Sequence, residues 1–191
     1  MKKNSVFKQA FSIFTVHSVA CLFTFLVMMP IIGAVASNNI LSVCLSILMA
    51  LVYGVLLFNS SYESAASDHK PYSRLKPYPL KGFVISIGAI VPVVLSWIFY
   101  VICWEIAPIP QAVVSGTEIP LATFWANMIY SFFTAPFWNV INIQGKEASL
   151  AGQIISIAVP ALACFIGYYL GYIKLDYTKY INKIIYDKNN K

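Results

Sequence analysis

Charge is what this sequence is short of. Of its 191 residues only 10% are Asp, Glu, Lys or Arg, while 59% are hydrophobic. Mean hydropathy is +0.74. A water-soluble globular domain carries about 25% charged residues, so that class is excluded. Catalytic motifs are missing as well. The chain has no HExxH, no GxSxG and no Walker-type glycine loop, which removes zinc-protease, nucleophile-elbow and P-loop chemistry. No enzyme is expected, and any energised activity needs a partner. Cysteines are few. Cys21, Cys44, Cys103 and Cys164 all sit in apolar runs, with no CxxC and no His pair beside them, so they read as small core residues and neither metal nor cofactor is expected. Cys44 and Cys103 fall near the predicted outer leaflet, which leaves a disulfide open. Gly/Ser linkers and low-complexity tracts are absent too, so 1–191 forms a single integral membrane domain.

What is there is apolar length. A helix needs about 20 apolar residues to cross the hydrocarbon layer, and runs at 10–36, 40–58, 83–106 and 151–172 meet that requirement. The predicted fold is all-α, a polytopic transmembrane helix bundle. A fifth run, 121–143, is long enough to cross but carries Asn127, Asn139, Asn142 and many aromatic residues, a composition suited to the interface. The opening also has the marks of a signal peptide, with Lys2, Lys3 and a small-residue Ala34-Val35-Ala36. Its apolar region exceeds the usual length of about 7–15 residues, so an uncleaved first span is expected.

Lysine placement decides between the remaining topologies. Lys2, Lys3 and Lys8 open the chain, Lys70, Arg74, Lys76 and Lys81 cluster between the second and third spans, and five lysines lie in the 173–191 tail. Such clusters between apolar runs mark the cytoplasmic side and anionic lipid, not a nucleic-acid surface. Four crossings, with 121–143 re-entrant or interfacial, keep every basic residue except Lys146 on that side. Five crossings, the alternative, would put the tail outside. Pro136 favours the four-span reading, because proline removes a backbone donor and clashes with the preceding turn. The expected location is a cytoplasmic membrane with both termini inside. Tyr177, Tyr180, Ile181, Ile184 and Ile185 alternate with lysines at helical spacing, which predicts an amphipathic helix lying on the inner leaflet.

Small residues mark the packing faces, since helices in lipid associate where backbones approach closely. Ser42, Ser46, Ala50 and Gly54 form one stripe; Gly152, Ser156, Pro160, Ala163, Gly167 and Gly171 form another; Gly82, Ser86 and Ala89 form a third. These stripes are expected to meet within one monomer, the alternative being a second copy or another membrane subunit. Pro30, Pro92 and Pro160 each interrupt a different span and predict kinks.

Ionisable residues inside a membrane are costly and hence functional by default. His17 is the one well within a span, sharing a helical face with Cys21 and Thr24. It is expected to hydrogen-bond to a neighbouring helix, with a relay or substrate contact as the sharper reading. Glu105 stands at the outer end of the third span, and His69 in a polar loop beside Asp68 and Lys70 is expected to be solvated.

Lys81-Gly-Phe-Val-Ile-Ser-Ile-Gly-Ala-Ile-Val-Pro92 and Gly167-Tyr-Tyr-Leu-Gly-Tyr172 resemble the span start and span end of a group of small multi-pass membrane proteins of Firmicutes. The 60–80 loop departs from that pattern in having few acidic and glycine residues. The resemblance implies a bacterial cytoplasmic membrane and no particular activity. Two functions stand on the residues: an accessory or structural subunit that binds other membrane subunits or itself, and a component of a small-molecule transporter using His17, Glu105 or Pro136.

Overall fold

The computed structural model describes residues 5–36, 39–70, 73, 76–106, 121–137 and 150–174. Five α-helices and one 3-10 turn make up the described chain: α1 (Val6–Ala36), α2 (Asn39–Asp68), α3 (Lys81–Ile106), α4 (Leu121–Phe133), the turn Ala135–Phe137, and α5 (Leu150–Tyr172). Four of the helices, α1, α2, α3 and α5, are long and apolar enough to cross a membrane. The protein is therefore an all-helical, multi-pass membrane bundle.

The helix directions follow from one meeting point. Gln9 early in α1, Asp68 at the end of α2, Lys81 at the start of α3 and Tyr168 near the end of α5 contact one another. So α1 and α3 run away from this end, α2 and α5 run toward it, and the described chain begins and finishes on the same side. Among the described residues every Lys lies at this end, which we call the basic end.

Hydropathy alone stops the second span at Phe58, yet α2 continues through ten further residues to Asp68. The extension is held by packing. Its polar and small residues meet α5, where Ser61 Oγ donates to the Cys164 carbonyl at 2.8 Å and Ala65 is fully buried.

The interior is inverted relative to a water-soluble bundle. Leu26, Leu51, Leu95, Ile154 and Leu162 are exposed on the outside, whereas Gln9, His17, Ser46, Ser61, Asp68, Lys81, Ser96 and Ser156 are buried. Lipid accepts aliphatic side chains at no cost, and polar groups can be satisfied only between helices.

Glycines set the helix separations. A Cβ on Gly167 would collide with the Phe58 carbonyl oxygen, and one on Gly171 would stand 2.7 Å from Ala65 Cβ; both fix the α2–α5 contact. On α3, a Cβ at Gly82 would reach 2.6 Å from Phe165 Cα, and one at Gly88 would collide with the Ala10 carbonyl oxygen of α1. Gly54 has open space around it. The stripes on α3 and α5 thus meet neighbouring helices of the same chain, while the α2 stripe is divided: Ser46 is buried, Ala50 packs on the core, and Gly54 faces outward. The Ser42 side chain lies outside the described residues.

The described part of the fifth apolar run, 121–137, dips into the bundle; 138–143 lie outside the described residues. Helix α4 has 13 residues, roughly 20 Å at 1.5 Å per residue, short of the ~30 Å hydrocarbon layer. Tyr130 stacks on Tyr100 toward the far end of α3 at 5.3 Å, and Phe133 stacks on His17 midway along α1 at 5.9 Å, so α4 descends from the far end. It stops where Thr134, Ala135, Pro136 and Phe137 are buried against α1 and α2. The Thr134 hydroxyl and amide both bond the Tyr130 carbonyl, and Phe137 N–H donates to the Thr134 carbonyl at 2.8 Å. Pro136 supplies no donor there, so the helical ladder ends in a tight turn. The next described residue, Leu150, begins α5 back at the far end.

Two measurements check this packing. Gly167→Leu must displace backbone and is expected to lower stability by about 1–3 kcal/mol, read as a lowered melting temperature in detergent, whereas Gly54→Leu should leave it unchanged. Single cysteines replacing Lys8 and Lys174 should react with a membrane-impermeant reagent from the same side of sealed vesicles; labelling from opposite sides would contradict an even number of spans.

Candidate functional site

Polar groups on the bundle axis fall into two layers. The first closes the basic end with one residue from each spanning helix. Lys81 Nζ donates to Asp68 Oδ2 at 2.5 Å, with side-chain exposures of 1% and 0%. Tyr168 hydroxyl donates to the same oxygen at 2.7 Å, and Gln9 Nε2 donates to Oδ1 at 2.8 Å. The Lys81 ammonium also lies 5.8 Å from the centre of the Tyr168 ring, within cation–π range. A carboxylate taken out of water keeps its charge only if its lone pairs are filled. Here three donors do so, one of them the Lys81 ammonium.

Register explains the convergence. Ser46, Tyr53, Ser61 and Asp68, all buried, recur on α2 at spacings of seven and eight, close to two helical turns each, and so share one face. Gln9, Ile13 and His17 on α1, and Cys164 and Tyr168 on α5, are each four apart and likewise share one buried face. His69, one residue beyond α2, is half-buried; its Nε2–H donates to the Tyr172 carbonyl at 2.9 Å, satisfying an orphan acceptor at the end of α5. The expectation of a solvated polar loop at Asp68–Lys70 is thus corrected: Asp68 and His69 are tied to α5, and Lys81 belongs to the interior.

The second layer lies at mid-depth. His17 is fully buried, its Nδ1 2.8 Å from the Tyr53 hydroxyl of α2. Its ring is parallel to Phe133 within 5°, and Cys21 Sγ lies 3.7 Å from Nε2 and 3.5 Å from the Phe133 carbonyl oxygen. Tyr53 in turn meets Phe137 edge-on at 5.5 Å. The end of α4 and the turn that follows it are therefore seated on a His–Tyr pair contributed by two spanning helices. Chemically the pair offers a neutral donor and acceptor in a dry setting, suited to recognising or relaying a single polar group.

The residues singled out in the sequence divide accordingly. His17 makes the expected bond to a neighbouring helix, and Cys21 and Thr24 share its buried face. Pro136 is brought to the same layer. The Glu105 side chain lies outside the described residues. Gly152 and Ser156 are buried on α5 and Ala163 is partly buried against the core. All four cysteines are free, so the Cys44–Cys103 pairing left open by the sequence is not formed. Among the described residues no three His, Cys, Asp or Glu side chains converge as a metal site would require. Gln9, Tyr53, Asp68, Lys81 and Tyr168 escape a reading by hydropathy. Their signal is the buried-face spacing on each helix, legible only once α2 is extended past Phe58.

Comparison with known proteins adds nothing to these assignments. No protein-family profile matches the chain, and neither a curated protein nor a solved structure is significantly similar to it.

The buried ion pair carries a quantitative expectation. Asp68→Leu or Lys81→Met alone strands a charge and should cost about 3–5 kcal/mol. Asp68→Leu combined with Lys81→Met should recover much of that loss. A double-mutant cycle on detergent melting that showed simple additivity would contradict the coupling. Tyr168→Phe removes a hydrogen bond to a charged group and should cost roughly 1.5–3 kcal/mol.

Proposed function

We propose that this chain is a membrane subunit of a small-molecule transport system energised by a separate partner, with its own polar-group site at His17 and Tyr53. The observation that carries the reading is the Thr134–Phe137 turn buried against that pair. Irregular backbone at membrane depth is tolerated only where protein shields it or a cavity uses it, and discontinuous helices near the midplane are a common way to build transporter sites. Nothing in the sequence provides for nucleotide hydrolysis, hence the partner.

The lysines at the basic end, exposed Lys8, Lys70, Lys76 and Lys174 among them, support a cytoplasmic orientation of that end under the positive-inside rule. Anionic lipid is the natural neighbour of those residues. The resemblance of the segments starting at Lys81 and Gly167 to small Firmicutes membrane proteins supports a bacterial cytoplasmic membrane.

A second reading, an accessory or structural subunit, is favoured by the outer face of α4, where Phe124, Trp125 and Ile129 are exposed. An aromatic surface on a short helix offers contact area to another membrane protein or to a second copy.

The two readings separate in one experiment. Tagged protein isolated from its native membrane in nanodiscs is expected to bring down an ATPase or permease in near-equal amount. His17→Leu is expected to preserve expression and that complex while losing the growth phenotype conferred by the wild-type gene. Recovery of the chain alone would overturn the energised-partner reading. A phenotype indifferent to His17→Leu but lost with Trp125→Ser would favour the accessory role.

A further inference from the structure

We propose that the groove between α1 and α3 is a binding site for one acyl chain of an anionic phospholipid from the leaflet at the basic end. Gly88 makes the groove by letting α3 close on the Ala10 carbonyl of α1. Beside that crossing, Phe7, Phe11 and Phe14 on one helix and Ile87, Val91 and Leu95 on the other line an open apolar groove of about 330 Å³.

Size selects the occupant. The walls run from Ile87 to Leu95, roughly 12 Å at 1.5 Å per residue, which is less than one leaflet of a ~30 Å hydrocarbon layer. A membrane-spanning helix would run the full depth of the layer, far beyond these walls. A single hydrocarbon chain confined to one leaflet matches their reach.

Charge selects the headgroup. The groove lies toward the basic end, where Phe7 is 80% exposed and its neighbour Lys8 is exposed too. An aliphatic tail seated between α1 and α3 puts its phosphate within the layer that Lys8 occupies, where each Lys near an anionic surface is worth about 1 kcal/mol. The site is independent of the His17 layer and stands whether or not the chain works in transport.

Native mass spectrometry tests the assignment on the full chain. Protein taken from nanodiscs of phosphatidylcholine doped with phosphatidylglycerol into a mild detergent is expected to retain one phosphatidylglycerol. Val91→Trp fills the groove from a lipid-facing position and should lower that occupancy about tenfold, the equivalent of losing roughly two buried methylenes. Ile87→Trp, one turn nearer the basic end, should do the same, and Leu162→Trp on exposed α5 surface should not. Lys8→Gln should keep a bound lipid but lose the preference for phosphatidylglycerol over phosphatidylcholine. Unchanged retention in both groove-filling variants would overturn the site, as would a headgroup preference unaffected by Lys8→Gln. A dimer mass without lipid, abolished by Val91→Trp, would overturn it in favour of a second copy.

Discussion

The buried carboxylate of Asp68 dictates how the rest of the bundle can be arranged. It is charged, fully enclosed and reached by Lys81, Tyr168 and Gln9, so each of the four spanning helices must present one particular residue at one particular height. Apolar packing in lipid does not distinguish strongly between helix registers, because a lipid tail contacts leucine as well as another leucine does. A desolvated ion pair does distinguish them, since a slip by one turn on any helix would strand a charge or a donor. The pair therefore acts on specificity of arrangement more than on net stability, in keeping with the near balance between desolvation cost and Coulomb gain for buried pairs.

Glycine then determines how closely the helices thus aligned can approach. Gly167 and Gly171 bring α5 onto α2, Gly82 brings α3 onto α5, and Gly88 brings α3 onto α1. These contacts use the small-residue faces of α3 and α5 within the chain, so those faces are not where another subunit would bind. Surfaces that remain for lipid or protein are the aliphatic exterior, the α1–α3 groove and the aromatic face of α4.

Above the closed basic end the bundle admits a foreign element. Helix α4 and its turn lay Phe133 against His17 and Phe137 against Tyr53. His17 and Tyr53 form a buried, hydrogen-bonded pair at mid-depth.

Several of these features were legible in the residues alone. Long apolar runs demanded helices that cross a membrane, because no other backbone arrangement of such length satisfies its own polar groups in lipid. Pro136 and the aromatic-rich composition around it marked the fifth run as different from the other four, and lysine clustering argued for an even number of crossings. Small-residue spacing located the close contacts at Gly82, Gly167 and Gly171, but not the one at Gly88, and it included Gly54, which has open space around it. Tertiary structure alone decided what lies inside. Hydropathy scores Asp68 and Lys81 as loop residues, and nothing local in 59–68 separates a solvated turn from two buried helical turns. Their burial is paid for by partners up to a hundred positions away, such as Tyr168, and pairing across that distance is a property of the assembled helices. The same holds for His17 and Tyr53, whose bond depends on how far α1 and α2 are offset along the bundle axis.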